Sequence, residues 1–241
     1  MSRQPLRSVA PPKQARSQET LRRLLEAAEA LIETKGFRDM SIADVAKAAH
    51  SSVGGFYRRF KDKDELLLAL HERFAQELGA RMNELEAEVV QAPTLAQMVR
   101  LCVHEMVRVF HARRALFAAF TSRFAENPEM LKRGLAVRNE VLRRFVHLVL
   151  THRSEIGHPE PDLAVDLAAQ MMFALMDQLV VWGSLKAGGE ALDEARIAAE
   201  LERSFLAYLM VGIEDAGSGL HRTQSGVPGL GKLGNGSEGG V

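Results

Sequence analysis

SIADVAKAAHSSVGGFYRRF, residues 41–60, holds two short amphipathic patterns on either side of a tight corner. Ile42, Val45, Ala46 and Ala49 recur at i, i+3, i+4 and i+7, the spacing of one helical face. Val53, Phe56, Tyr57 and Phe60 recur with the same kind of spacing. Two helices joined at roughly a right angle by a turn of about 3–4 residues form a helix-turn-helix. In DNA-binding proteins the second helix of such a unit enters the major groove. The stretch therefore predicts a DNA-reading element rather than a catalytic one.

The flanks extend the helical pattern on both sides. From Gln18, Leu21, Leu24, Leu25, Ala28, Leu31 and Ile32 predict a helix that Gly36 ends as a C-terminal cap. Ser41 is a good N-cap for the next helix, with Asp44 in a capping-box-like place. After the polar break Lys61-Asp62-Lys63-Asp64, a long helix runs through Leu66, Leu70, Phe74, Leu78, Met82 and Leu85. Further helices are predicted from Thr94 to about Phe110, from Arg114 to Ala125, and from Asn127-Pro128 to about His152. Asp162 is read as capping a helix to Leu185, and Asp193 as opening a final helix to about Glu214. No strand-type alternation and no repeat is visible. The predicted class is all-α, with about nine helices.

Composition shifts suggest four segments. Residues 1–17, with Pro5, Pro11, Pro12 and the bases Arg3, Arg7, Lys13 and Arg16, read as a flexible basic arm that can lie in a minor groove. Residues 18–78 form the unit around the helix-turn-helix, and 79–215 a larger helical domain. Residues 216–241 are rich in glycine and serine and read as a disordered tail.

The net charge of zero hides an asymmetry. Residues 1–64 carry 13 Lys/Arg against 8 Asp/Glu, whereas 65–214 carry 16 against 21. A basic end on an otherwise acidic chain suggests one polyanion-binding region. The lone Cys102 excludes an internal disulfide and fits a reducing, cytoplasmic setting. The most apolar segment, 163–182, is interrupted by Asp166, Gln170, Asp177 and Gln178, so it reads as buried protein rather than a membrane span.

Four elements in order resemble the tetracycline-repressor (TetR/AcrR) family of bacterial transcriptional regulators. They are Leu31-Ile32-Glu33-Thr34-Lys35-Gly36-Phe37, Ser41-Ile42-Ala43-Asp44-Val45-Ala46, Gly54-Gly55-Phe56-Tyr57-Arg58-Arg59-Phe60 and Lys61-Asp62-Lys63-Asp64-Glu65-Leu66-Leu67. The resemblance implies a homodimer on a palindromic operator in double-stranded DNA, probed by an unknown small-molecule effector, with repression as the output. Two positions depart from the pattern. His50 stands where the family usually has a glycine with positive φ, and Ser51 where it usually has valine.

Site expectations follow. Ser41 caps a helix and can touch a phosphate. Ser52, Val53 and Arg58 are candidates for base edges or nearby phosphates, Val53 through a thymine methyl. Gly55, beside Gly54, suggests close backbone approach to DNA or to the preceding helix. The resemblance gives the Tyr57 hydroxyl to a phosphate, while Lys61 and Lys63 hold the DNA backbone and set register. Cys102, Glu105, Phe117, Phe120, Arg138, Met172 and Met176 are candidates for a ligand pocket. The resemblance places dimerisation on the helices 162–185 and 193–214.

No catalytic constellation, metal set or cofactor motif is present in the sequence. His104-Glu105 opens like a zinc-protease helix, but Arg108 occupies the place of the second histidine. Two alternatives stay open at this point. One is a DNA-binding dimer whose helical domain recruits a protein and holds no ligand. The other is an enzyme with an accessory helix-turn-helix.

Overall fold

The computed structural model describes residues 15–89, 94–187 and 189–210. Most of the expected arm and all of the expected tail lie outside the described residues, as does the end of the last helix beyond 210.

The first helix, α1 (Ala15–Asp39), is broken at Gly36, whose φ of 78° and ψ of 158° are open to glycine. The long first helix ends there, as expected, and a short turn through Asp39 follows the break. Next come α2 (Ile42–Ala48) and α3 (Val53–Tyr57), then α4 (Lys63–Val89). Leu24, Ile32, Met40, Val45, Phe56, Phe60, Leu66 and Leu67 close one core beneath the corner.

The larger part comprises α5 (Leu95–Ala112), α6 (Arg114–Ser122), α7 (Pro128–Leu150), a 3-10 turn at Arg153–Glu155, α8 (Pro161–Trp182) and α9 (Glu194–Met210). Thr94 and Asn127 cap α5 and α7 through their side-chain oxygens. A second core joins α5, α7, α8 and α9 around Val99, Val103, Phe145, Val149, Ala169, Met172 and Phe205. The helix α6 crosses the expected division near residue 78. Its Leu116, Ala119 and Phe120 belong to the first core and pack it against α1.

Three expectations need correction. Asp162 does not cap α8: Pro161 opens that helix, and Asp162 instead accepts from Arg153 at 2.5 Å. The helix stops at Trp182 because Gly183 takes a left-handed φ of 75°, so Leu185 lies beyond it. The absence of strands also fails in detail. β1 (Lys186–Ala187) and β2 (Glu190–Ala191) form a two-residue antiparallel ladder across Gly189. Two residues are too few to leave an alternation legible in sequence.

By length and composition α8 is apolar enough to cross a membrane. Here one of its faces, through Ala164, Ala168, Met172 and Met176, is buried in the second core. Leu163, Leu167, Met171, Val181 and Trp182 remain exposed on the other.

Candidate functional site

The corner is built by paired caps. The Ser41 hydroxyl accepts from Asp44 N at 3.0 Å, and the Asp44 carboxylate accepts from Ser41 N at 3.1 Å. Hydrogen bonding of its carboxylate with the Ser41 side chain and backbone holds the Asp44 pKa below its usual value. Ser52 caps α3 by accepting from Gly55 N at 3.0 Å. Between the caps, His50 has φ of 49° and is the one non-glycine residue with positive φ among the described residues. The histidine thus adopts the backbone that the family fills with glycine.

The helix α3 and the turn after it sort their residues cleanly. Phe56 and Phe60 are fully buried, while Val53 (44% exposed) and Tyr57 (55% exposed) face outward. Ser41, Ser52, Gly54, Arg58 and Lys61 are exposed as well. An apolar methyl pair, a phenol and a guanidinium on one accessible surface are groups that meet base edges and phosphates.

Two expected contacts sit differently. Gly55 is buried, and a Cβ there would come within 2.4 Å of Ser51 Oγ and 3.3 Å of Ser52 Oγ. Its missing side chain makes room for the corner itself. At the exposed Gly54 a Cβ would meet only Ser52 Oγ, at an ordinary contact distance of 3.9 Å. Lys63 is not a free cation: its Nζ donates to Phe37 O at 2.8 Å and Arg38 O at 3.2 Å and lies 4.8 Å from the Phe37 ring centroid. It caps the carbonyls at the end of α1, and burial lowers its pKa. Arg59 is likewise committed, donating to Ser17 O and Oγ and tying the start of α1 to α3.

Between this unit and the second core lies a cavity of about 350 Å³, walled by α4, α5, α6, α7 and α8. Its walls are mainly apolar, with Phe74, Phe110, Phe117, Phe120, Phe145 and Phe173 dominant. Cys102, Glu105, Phe117, Phe120 and Arg138 all line it. Met172 and Met176 do not: both are buried in the core. One residue is 100° of helix, so α8 turns Phe173 and Asp177 to the cavity and carries each neighbouring methionine past it.

Burial pushes the Cys102 thiol up to about 12, so it stays a small protonated hydrophobe. Burial lowers His71 to about 4, leaving a neutral imidazole edge-on to Phe120 at 4.9 Å. Bonds from Arg108 and then Arg81 hold Glu105 at about 2. Phe124 closes over Gly134, where a Cβ would meet its ring at 2.7 Å.

Two family models match the chain over more than half its length. One, described as bacterial regulatory proteins, tetR family, covers residues 24–70. The other, described as tetracyclin repressor-like, C-terminal domain, covers residues 94–209. The chain belongs to the TetR family.

Among TetR-family relatives, the fatty acid metabolism regulator protein of Bacillus subtilis is 22% identical over 195 residues, spanning 80% of this chain and 94% of that one. The HTH-type transcriptional repressor KstR2 of Mycobacterium tuberculosis is 26% identical over 194 residues, spanning 80% and 92%. A TetR-family regulator of Mesorhizobium loti shares the fold with a TM-score of 0.66 at 18% identity, covering 81% of this chain and 98% of that one. The B. subtilis regulator FadR, solved in complex with stearoyl-CoA, does so with a TM-score of 0.56 at 21% identity, covering 78% and 97%. Each of these relatives is named as a regulator or repressor. This TetR-family protein is a DNA-binding transcriptional regulator.

Sequence reasoning missed His71, Arg81 and Asp177 in the TetR-family cavity. A signal existed for α4, where His71, Phe74, Leu78, Met82 and Leu85 share one helical stripe. A stripe of that kind lines a packed core equally well.

Proposed function

We propose that the protein is a homodimeric repressor that binds a palindromic operator and releases it when a small molecule fills the cavity. The observation that carries this reading is the double role of Phe74 and Phe120. Both pack in the core beneath the helix-turn-helix and both wall the cavity. A ligand that moves them acts on the packing under α3.

Dimerisation supplies what one helix-turn-helix lacks. A single unit offers few contacts, so two half-sites about one helical turn apart are read by two copies. The exposed apolar face of α8 is the surface assigned to the second copy, with α9 beside it. Ligand control is then an equilibrium between a spacing of the two α3 helices that fits the operator and one that does not. A ligand shifts it only by its difference in affinity for the two states. Couplings of about 1–3 kcal/mol alter operator affinity about 5- to 150-fold.

The test begins with recovery of genomic fragments bound by the full-length protein at physiological salt. The expected product is a palindromic site bound by two copies. Compounds that raise the melting temperature are then added to the complex. Loss of DNA on addition supports the reading. Stabilising compounds that all leave operator affinity unchanged sink it.

A further inference from the structure

We propose that Arg138 is the anchor for a carboxylate, so that the effector is an apolar monocarboxylic acid. This rests on the reading of the cavity as the effector site. Each polar group of the wall can be followed to its partner. Arg81 and Glu105 hold one another at 2.7 Å, and Glu105 also accepts from Arg108 at 2.6 and 2.8 Å. Thr121 donates back to Phe117 O at 3.1 Å within its own helix. His71 and Cys102 are uncharged near neutral pH.

Arg138 and Asp177 remain. The Arg138 Nε is buried and has no hydrogen-bond partner. Its guanidinium lies 6.0 Å from the Phe173 ring centroid. Among the described residues no carboxylate forms an ion pair with it, Asp177 included. Burial raises the Asp177 pKa and the attraction of Arg138 opposes that rise, so the acid is near but not paired. A buried donor left without an acceptor is rare and costly in folded proteins. A guanidinium offers Nε and Nη in parallel, the fork that a carboxylate fills with two bonds. The missing partner is an anion with two oxygens in one plane.

The shape of the cavity gives the rest of the molecule. The helices α4 and α7 run side by side in the same direction, since Arg133 reaches Glu72 at 3.9 Å and Arg144 reaches Glu86 at 2.5 Å. From His71 to Leu85 the α4 wall spans about 20 Å at the helical rise. Arg138 lies near the middle of that run. A head group held there leaves about 10 Å of largely apolar wall on either side, counted by the same rise. The space suits a medium-length aliphatic or compact ring body.

The test uses the full-length protein and titration calorimetry with octanoate and decanoate, their methyl esters and the corresponding amines. The acids are expected to bind about tenfold or more tightly than their esters, as charge-assisted bonds require. In Arg138→Gln the acid-to-ester ratio falls to near one while ester affinity holds, which also shows that the cavity is folded. Asp177→Asn, which removes a carboxylate that interacts with Arg138, tightens acid binding several-fold. The proposal is overturned if no acid binds, if esters match acids, if amines bind best, or if Arg138→Gln keeps the acid preference. Should Arg138→Gln fail to fold, a lack of effect in Asp177→Asn overturns it equally. An acid held through Arg138 that leaves operator affinity unchanged defeats the repressor reading instead, and leaves the anchor standing.

Discussion

Arg123, which closes α6, binds both carboxylate oxygens of Asp64 in the first turn of α4, at 2.9 and 2.8 Å. Its guanidinium also lies 5.9 Å from the Phe37 ring centroid, beside the Lys63 ammonium. Phe120 and Thr121, just before it in the chain, line the cavity. One side chain thus links the end of the cavity-lining α6 segment to the helix that follows α3. Arg113 does the same from the other end of α6 by pairing with Glu29 of α1. Arg123→Ala is expected to leave ligand affinity within about twofold but to shrink ligand-driven loss of operator affinity below about fivefold, the low end of ordinary coupling. Fluorescence anisotropy of a labelled operator, with and without ligand, measures this. An unchanged ligand effect in the variant removes the strut from the path.

Lys61 and Lys63 stand two residues apart but do different jobs. Lys61 is exposed, so Lys61→Ala should lower the salt slope of operator binding by about 0.9 if it neutralises one phosphate. Lys63 caps the carbonyls of Phe37 and Arg38. Lys63→Ala should cost about 1 kcal/mol of stability, as loss of a partly buried charged hydrogen bond does, and change the slope little. Urea denaturation together with a salt titration separates the two. A full slope change in Lys63→Ala overturns the assignment.

His71 makes stability depend on pH in a defined direction. Its pKa is near 6.5 in the unfolded chain and about 4 in the fold. Between those values the unfolded state binds more protons, so stability falls as pH drops from 6.5 toward 4. The whole window is worth about 3 kcal/mol. Glu105, held at about 2, adds its own loss only below about pH 4.5. Unfolding midpoints at pH 7.5, 6.0 and 5.0 should slope downward in the natural chain and flatten in His71→Phe. Equal slopes would show that His71 keeps its proton balance on folding.

His50 holds a left-handed backbone at the corner. A residue with a Cβ pays about 1–2 kcal/mol there, partly offset because glycine loses about 0.5–1 kcal/mol more chain entropy on folding. His50→Gly is therefore expected to gain roughly 0.5 kcal/mol, and His50→Val to lose more than about 1 kcal/mol, since β-branching worsens the clash. Thermal melts of the three chains rank them. A destabilising glycine would mean that the imidazole contributes a contact of its own.

The exposed face of α8 predicts how the molecule assembles. Leu167 lies 44% exposed between Leu163 and Met171. Leu167→Arg should yield monomers by sedimentation and weaken operator binding about a hundredfold or more, through loss of the second half-site. A variant that remains dimeric would move the interface to another face.

The helix-turn-helix was legible because its apolar residues, caps and corner are all local. Val45, Phe56 and Phe60 declare their faces by spacing, and Ser41 with Asp44 declares a helix start. The surroundings of Gly55 and Lys63 were not legible, for one shared reason. Their partners, Ser51 across the corner and the carbonyls of Phe37 and Arg38, are set by how the helices dock. The cavity was legible only in part. Cys102, Glu105, Phe117, Phe120 and Arg138 reach it, but Met172 and Met176 are turned away by one step of helix phase. Apolar composition does not distinguish a filled interior from a hollow one. The unpaired Nε of Arg138 has no sequence signature, because being unpaired is a property of surroundings.

Gly134 and Phe124 set how much of the cavity is open. The ring of Phe124 rests where the first carbon of any side chain at position 134 would stand. A single methyl group added there must displace an aromatic ring and so redraw one end of the chamber. In the reading proposed above, one carbon added at position 134 would alter the molecule that is sensed while every side chain of α2 and α3 stays as it is.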